Sequence, residues 1–197
     1  FGGKFVDRDQ VEVSHFQGWI DWAKEHNLKL DFNSTSFSHH KSGDLSLANP
    51  DKSIRDFWIE HTKRCRRIAD AMGKAQGDPC IMNIWVHDGS KDLTVERYRY
   101  RQILKESLDE ILAEDLPHMK SCLEAKLFGI GLEAYTVGSH DFFAGYCSKN
   151  NAIYTLDTGH YEPTENVSDM VSSLLLFVPE LMLHVSRPMH WDSDHVT

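Results

Sequence analysis

The stretch Cys80-Ile-Met-Asn-Ile-Trp-Val86 is a short, almost continuous apolar run, which is typical of a strand buried on both faces of a parallel sheet. An apolar face at helical spacing precedes it and predicts a helix that Ser53 can cap and that stops near Gly77-Asp-Pro79. A second such face follows the strand and ends before Pro117. The apolar residues are Ile54, Phe57, Trp58, Cys65, Ile68 and Met72 in the first helix, and Leu104, Leu108, Ile111 and Leu112 in the second.

The same alternation extends in both directions from this strand. Toward the N-terminus, residues 16–23 predict a helix, and the apolar-polar alternation of Leu28-Lys-Leu-Asp-Phe32 predicts a strand. Toward the C-terminus, residues 165–177 predict a helix that Pro179 ends. The remaining predicted strands are Ser121-Cys-Leu-Glu-Ala-Lys-Leu-Phe128, Ala152-Ile-Tyr-Thr-Leu156 and Leu181-Met-Leu-His-Val185.

Strands separated by helices predict βαβ units and a parallel sheet with right-handed crossovers. Polar side chains fall at the strand ends or just after them, and in the (β/α)8 barrel this carboxyl-terminal rim is where active sites are built. We therefore expect an α/β fold, a partial (β/α)8 TIM barrel with about five of the eight strands present. Residues 1–197 are expected to be a single domain, the central part of a barrel whose N- and C-terminal parts are missing.

Composition narrows the class of protein. Of the 197 residues 41% are hydrophobic and 26% charged, and no apolar run approaches the roughly 20 residues that span a bilayer, so a soluble chain with no membrane partner is expected. The net charge of −9 argues against a nucleic-acid partner, and the basic cluster Lys63-Arg-Cys-Arg-Arg67 is interpreted as a solvated helix face. Phe1-Gly-Gly-Lys-Phe5 lacks the pattern of a signal peptide, and the cysteines form no C-x-x-C pair. Reduced, mostly buried thiols and a cytoplasmic location follow.

Residues of the types that can ligate metal ions are concentrated at predicted strand ends and in the loops after them. Carboxylate oxygens suit hard divalent cations, and imidazole nitrogens suit the transition series, Mn²⁺ included. In an extended loop, alternation would also point the two aspartates of Trp191-Asp-Ser-Asp-His195 the same way. The candidates for a divalent-cation site are Glu124, Asp157, His160, His184, Asp192 and Asp194.

Several of these residues have a second interpretation. In a strand, Glu124 and Lys126 share a face, which is costly in a core and useful in a site, but a salt bridge at a barrel mouth is an equal alternative. His184 lies in an apolar strand, where a hydrogen-bonded core histidine is the commoner case. The D-x-D pattern is also common in loops and helix caps.

The end of the central strand and the loop after it contain weaker candidates for contact with a substrate. Trp85 ends that strand at the rim, where its indole either stacks on the apolar face of a sugar or belongs to the core. His87, Asp88 and Lys91 follow, and they either reach a substrate or are solvated.

Four motifs, in this order along the chain, resemble the bacterial L-rhamnose isomerase family of the xylose-isomerase-like barrel superfamily. The resemblance extends essentially from end to end, and further parts of it are Leu30-Asp-Phe-Asn33, Asn83-Ile-Trp85 and Tyr135-Thr-Val-Gly-Ser139. The four motifs are Glu124-Ala-Lys126, Leu156-Asp-Thr-Gly-His160, Leu183-His-Val-Ser-Arg187 and Trp191-Asp-Ser-Asp-His195.

The resemblance implies a two-cation site in a cytoplasmic homotetramer that converts L-rhamnose to L-rhamnulose, with Mn²⁺ as the usual cation and Zn²⁺, Co²⁺ or Mg²⁺ as the other candidates. Lys126 matches the lysine that contacts the reacting end of the sugar. The implied ligands are Glu124, Asp157 and His184 for the substrate-anchoring cation, and His160, Asp192 and Asp194 for the catalytic one.

The reaction mechanism is a hypothesis at this point. Two cations can assist a hydride shift from C2 to C1 while Lys126 stabilises negative charge on O1, which makes Lys126, His160 and Asp192 the candidate catalytic residues. Enediol formation would instead use a side-chain base, with His160 or an aspartate as candidates.

Other functions stay open beside the isomerase. A related barrel with clustered ligands could be a sugar epimerase or a metal-dependent phosphodiesterase, although the acidic net charge and Lys126 beside Glu124 favour a neutral polyol over a phosphate. The second alternative is a truncated barrel segment without activity, which binds a cation or only packs with its missing parts.

Overall fold

The computed structural model describes residues 4–92, 94–126, 134–161 and 164–185, in which helices and strands alternate. The helices are α1 Gln17–Glu25, α2 Lys52–Gln76, α3 Arg97–Leu112, α4 His140–Asn150 and α5 Val167–Leu174, with short 3-10 turns at Arg8–Gln10, Val13–Phe16 and Thr158–His160. The strands are β1 Phe32–Ser34, β2 Cys80–Trp85, β3 Gly89–Ser90, β4 Met119–Glu124, β5 Tyr135–Thr136, β6 Ile153–Asp157 and β7 Leu181–His184.

Five strands form one sheet in the order β1-β2-β4-β6-β7, and every neighbouring pair in it is parallel. One α-helix separates each strand of this sheet from the next along the chain, so the strands and helices form four successive βαβ units. The predicted α/β class with five parallel strands is confirmed, and the arrangement is that of part of a (β/α)8 barrel.

Helix α2 shows how the sequence sets the ends of these units. Its N-cap is Asp51, whose side chain accepts a hydrogen bond from the backbone N–H of Ser53, so the prediction that Ser53 is the cap was wrong by two residues. The helix ends at Gly77, which takes the left-handed conformation with φ of 69°. The apolar face between these ends, with Trp58 and Ile68 fully buried, packs on β1, β2 and β4.

The amino-terminal edge of the sheet lies directly against α2. A Cβ atom added at Gly73 would meet the carbonyl oxygen of His118 at 1.7 Å and the backbone nitrogen of Cys80 at 2.8 Å. The backbone N–H of Cys80 also donates to the carbonyl of His118, at 3.0 Å. The helix backbone can approach the starts of β2 and β4 this closely only because residue 73 has no side chain.

Three local predictions were incomplete. The first strand was predicted at residues 28–32 but spans Phe32–Ser34, because the backbone of Leu30 is bonded by the side chain of Gln76 instead of by a neighbouring strand. Helix α4 was not predicted, since its sequence has no clear apolar period and contains Gly145. The antiparallel pair β3–β5 was also missed, because two-residue strands carry no periodic signal.

The basic cluster on α2 is not simply a solvated face. Arg66 is buried and donates to the carbonyl oxygens of Ile111 and Glu114, at 2.5 and 3.0 Å, which satisfies acceptors at the C-terminal end of α3. Its Nε donates to the hydroxyl of Ser121. The other basic residues of the cluster pair with Glu110, Glu60 and Glu114.

The cysteine prediction is confirmed, because all four cysteines are free and buried. Burial raises the pKa of each thiol to about 12, and they are Cys65, Cys80, Cys122 and Cys147. Among the helices that the structure describes, none is both long and apolar enough to cross a membrane.

Candidate metal centre

The register of the sheet brings the predicted ligands to one edge. Trp85 at the end of β2 pairs with Glu124 at the end of β4, and Asp157 at the end of β6 pairs with His184 at the end of β7. The strands are parallel, so these ends meet at the carboxyl-terminal edge of the sheet.

Glu124, Asp157 and His160 form a buried cluster whose ligand atoms all lie within 4.8 Å of one another. The Nδ1 atom of His160 lies 3.2 Å from Oε1 of Glu124 and 3.6 Å from Oδ2 of Asp157. His184 joins from the edge strand, with Nδ1 2.7 Å from Oδ2 of Asp157 and 3.6 Å from Oε1 of Glu124. The side chain of His184 is 50% exposed, so it is not the core histidine of the second interpretation.

The electrostatics of this cluster favour a cation. Burial first, and then the hydrogen bond shared with Asp157, raises the pKa of Glu124 to about 7, although the side-chain amide of Asn83 works in the opposite direction. Two carboxylates with exposures of about 4% are costly to keep ionised side by side without a positive charge between them. Two carboxylates and two imidazoles are also a donor set that suits divalent metals such as Mn²⁺. The described residues therefore fit a divalent cation.

A tight turn after β6 sets the position of His160. Oδ1 of Asp157 accepts the backbone N–H of Gly159 at 2.7 Å, which starts the 3-10 turn Thr158–His160. Nδ1 of His160 lies 3.0 Å from the carbonyl oxygen of Ala125, so when Nδ1 carries the proton the Nε2 lone pair remains for a ligand.

The cluster lines a pocket of about 470 Å³. Its mixture of aromatic, amide and carboxylate groups suits a small polar molecule with one apolar face. The pocket is lined by Asn33, Ser34, Thr35, Phe37, Asn83, Trp85, Glu124, Asp157, His160, Met182 and His184.

Lys126 is placed differently from its prediction. Strand β4 ends at Glu124, so Lys126 lies beyond the strand and lines a neighbouring cavity of about 420 Å³. Its ammonium donates to the carbonyl oxygen of His87 at 2.7 Å and lies 5.0 Å from the ring centroid of Trp85. The structure therefore holds Lys126 against Trp85, with Glu124 in the adjoining pocket, and gives no salt bridge between Lys126 and Glu124 among the described residues.

The remaining predicted ligands, Asp192 and Asp194, lie outside the described residues. The division of the ligands between two cations consequently stays a prediction.

Asn83 is a site residue that the sequence interpretation did not single out. Its side-chain amide donates to Oε2 of Glu124, and its side-chain oxygen accepts the hydroxyl of Thr155 at 2.9 Å. The available signal was an asparagine inside the apolar run of β2, two residues before Trp85 and so on the same face. Buried amides are almost always hydrogen-bonded, which makes such a residue a candidate for orienting a neighbour.

The fold and the cluster define the chain as a parallel α/β protein of the barrel class, with a candidate divalent-cation centre at the carboxyl-terminal edge of its sheet. A family model described as L-rhamnose isomerase (RhaA) matches residues 2–197, and the chain belongs to this family.

Similar proteins agree with this family. The chain is 72% identical over 197 residues to the L-rhamnose isomerase of Bacteroides thetaiotaomicron, covering 100% of the chain and 47% of that protein. It is 52% identical over 194 residues to the L-rhamnose isomerases of Rhodopirellula baltica and Pectobacterium carotovorum, covering 97% of the chain and 45% and 46% of those proteins. The chain spans about half the length of the curated relatives it matches.

Proposed function

We propose that the full-length protein is an aldose–ketose isomerase, an intramolecular oxidoreductase that interconverts L-rhamnose and L-rhamnulose. The observation that carries the proposal is the convergence of Glu124, Asp157, His160 and His184 on one pocket, in a chain of the L-rhamnose isomerase family. The relatives that bear this name match the chain over almost its whole length.

Glu124, Asp157 and His184 would hold the first cation, and His160 with Asp192 and Asp194 the second. The proximity of two buried carboxylates supports this assignment for the first cation. When bound, divalent cations would polarise the oxygen atoms of the sugar and lower the pKa of a bound water. We propose Mn²⁺, with Zn²⁺, Co²⁺ and Mg²⁺ as competitors.

Trp85 would contact the sugar from the wall of the pocket, and Lys126, which lines the neighbouring cavity, would act on the sugar from beside that wall. The indole of Trp85 lines the pocket and offers a flat surface to the apolar face of a sugar. The ammonium of Lys126 is held against that ring, so a positive charge stands beside the wall. It would stabilise negative charge as this develops on O1 of the sugar.

Hydrogen transfer between the sugar carbons distinguishes the two mechanisms. We propose a direct hydride shift from C2 to C1, in which the transferred hydrogen does not exchange with solvent, while the proton of the C2 hydroxyl passes to O1. The reaction run in D₂O should leave no deuterium on C1 of L-rhamnulose. Incorporation that approaches one atom per turnover would show a side-chain base acting through an enediol.

Metal binding is tested by thermal unfolding of the full-length protein with and without Mn²⁺. We expect Mn²⁺ to raise the melting temperature, because a ligand that binds only the folded state stabilises it. Glu124→Ala should sharply reduce this rise, because it removes a proposed ligand of the first cation. Glu180→Ala, which removes an exposed carboxylate paired with Lys120 at the other end of the sheet, should retain it. If Mn²⁺ leaves the wild-type melting temperature unchanged, the proposed site is wrong.

Activity is tested by incubating the full-length protein with L-rhamnose and Mn²⁺ and following L-rhamnulose. The proposal fails if the only product is a C-epimer or if no product forms. The family resemblance extends the proposal to a cytoplasmic homotetramer. Light scattering on the full-length protein would test the tetrameric state.

A further inference from the structure

Asp88 is fully buried, with an exposure of 0%, in the loop between β2 and β3. Its Oδ1 accepts the backbone N–H of Ser46 at 2.8 Å and also the hydroxyl of Ser46. Its Oδ2 accepts the backbone N–H of Ala48 at 2.6 Å. Asp88 therefore neither reaches a substrate nor is solvated, and both interpretations drawn from the sequence were wrong.

The backbone around Asp88 ties the same loop to two other segments. The carbonyl oxygen of Asp88 accepts the N–H of Val137 at 3.0 Å, beside the antiparallel pair β3–β5. The N–H of Gly89 donates to the carbonyl oxygen of Asp44 at 3.1 Å. Three segments distant in sequence, residues 44–48, 87–90 and 135–138, thus meet at Asp88.

This junction carries the carbonyl group that holds Lys126. The ammonium of Lys126 donates to the carbonyl oxygen of His87, the residue just before Asp88, at 2.7 Å. The backbone N–H of Lys126 donates to the carbonyl oxygen of Gly138, in the third segment, at 3.2 Å. The backbone N–H and the side-chain ammonium of Lys126 are therefore both bonded to backbone carbonyl groups whose positions depend on the junction at Asp88.

The chemistry of the junction requires a carboxylate. The three groups hydrogen-bonded to the side chain of Asp88 are all donors, and a carboxylate offers only acceptors. An asparagine of the same shape would turn its own N–H₂ toward one of them. A buried donor left without an acceptor destabilises the local arrangement. Asp88→Asn is therefore a change of similar volume that disturbs the junction selectively.

We propose that Asp88 is a positioning residue, which fixes the loop 87–90 so that the His87 carbonyl holds the Lys126 ammonium against Trp85 beside the candidate sugar pocket. The inference rests on the proposed function for its kinetic consequences, but the placement of Lys126 can be measured without any activity. Small displacements of a group that stabilises a transition state cost rate, because the alignment is lost.

The test compares Asp88→Asn and Ser46→Ala with Asp70→Asn in the full-length protein with Mn²⁺. Ser46→Ala removes only the hydroxyl donor and leaves both backbone donors. Asp70→Asn is the matched control, because Oδ1 of Asp70 accepts the backbone N–H of His118 at 2.7 Å at the opposite edge of the sheet. Two quantities are measured: the kcat and KM for L-rhamnose, and the rate at which acetic anhydride acetylates Lys126, read from the tryptic peptide by mass spectrometry.

Asp88→Asn should lower kcat by about tenfold or more with KM nearly unchanged, as when a group that orients a catalytic residue is removed. Ser46→Ala removes only one hydrogen bond and should lower kcat by about threefold. Acetic anhydride should acetylate Lys126 faster in both variants than in the wild type, because the ammonium is no longer held against the His87 carbonyl. Asp70→Asn should change neither quantity.

The inference is overturned if Lys126 is acetylated at the wild-type rate in both Asp88→Asn and Ser46→Ala, or if Asp70→Asn changes kcat and acetylation as much as they do. An inactive wild-type protein would instead contradict the proposed function, and the acetylation rates would still decide the role of Asp88. If Asp88→Asn does not fold, Ser46→Ala decides the same question.

Discussion

The two edges of the parallel sheet carry similar polar residues in opposite arrangements. At the amino-terminal edge, charges are matched: Lys120 pairs with Glu180 at 2.6 Å, and Lys29 with Asp78 at 2.8 Å. At the carboxyl-terminal edge, Glu124 and Asp157 are buried against each other, and the pKa of Glu124 is raised.

The difference separates charged residues that are paired on the surface from buried charged residues that suit binding and catalysis. Matched charges lower the free energy of the folded chain modestly or leave it unchanged. Unmatched buried charges raise that free energy and persist where a ligand compensates for them. Variants of these pairs at the first edge should therefore leave metal binding and activity nearly unchanged, and variants at the second edge should change both.

The largest expected effect follows from changing one carboxylate at each edge. Asp157→Ala should lower kcat/KM for L-rhamnose by about a thousandfold or more, because it removes a proposed ligand of the first cation. Asp78→Ala removes only an exposed carboxylate paired with Lys29, and its kcat/KM should stay within about twofold of wild type. Steady-state kinetics of both variants with Mn²⁺ check this, and equal losses would contradict the division between the edges.

A large loss of stability is expected from the buried arginine near the amino-terminal edge. Arg66→Met should lower the free energy of unfolding by about 3 kcal/mol, because two carbonyl groups at the end of α3 lose a charged donor. Arg67→Met, which breaks an exposed pair with Glu114, should cost about 1 kcal/mol at most. Urea unfolding measures both variants. A loss for Arg67→Met as large as that for Arg66→Met would show that surface charge alone explains the basic cluster.

A pair of glycines tests the close approach of α2 to the sheet. Gly73→Ala should destabilise the protein by about 2 kcal/mol, because its Cβ would overlap the carbonyl oxygen of His118 and force the helix outward. Gly145→Ala gives the same gain in helix propensity, but a Cβ atom added there would meet no atom within 4 Å. It should therefore stabilise α4 by about 0.5–1 kcal/mol. Thermal or urea unfolding decides, and a stabilising Gly73→Ala would be the contrary result.

A pH dependence of stability is also expected for the metal-free protein. The folded-state pKa of Glu124 is raised from an ordinary 4.5 to about 7, so in this window the folded state binds more protons than the unfolded state. The contribution of Glu124 to stability is fully present below pH 4.5 and is lost as the pH rises toward 7. Glu124→Gln should remove this part of the decline. Melting temperatures across the window measure it, and an unchanged slope in the variant would contradict the pKa shift.

Much of the fold could be predicted because it depends on long periodic segments. The apolar face of α2 and the continuous run of β2 each contain enough residues for the period to be clear. Helix α4 and strands β3 and β5 lack such a signal and are set by packing and pairing with distant segments. The start of β1 was also misplaced because of a contact with a distant residue. The backbone N–H of Leu30 donates to the side chain of Gln76 instead of to a neighbouring strand.

The candidate site was predictable to the extent that it depends on strand ends. Glu124, Asp157 and His184 converge because parallel strands end at one edge, and their positions along the chain were enough to show it. The location of Lys126 could not be predicted, because β4 ends two residues before it and the His87 carbonyl holds its ammonium. The burial of Asp88 was equally hidden, since its donors come from residues about 40 positions away.

The most direct measurement of the central claim is anomalous diffraction at the manganese edge from crystals of the full-length protein grown with Mn²⁺. The account predicts a peak at the carboxyl-terminal edge of the sheet, within bonding distance of Glu124, Asp157 and His184. A structure with Mn²⁺ bound only elsewhere, or with Glu124 and Asp157 still bonded directly to each other at saturating Mn²⁺, would contradict it.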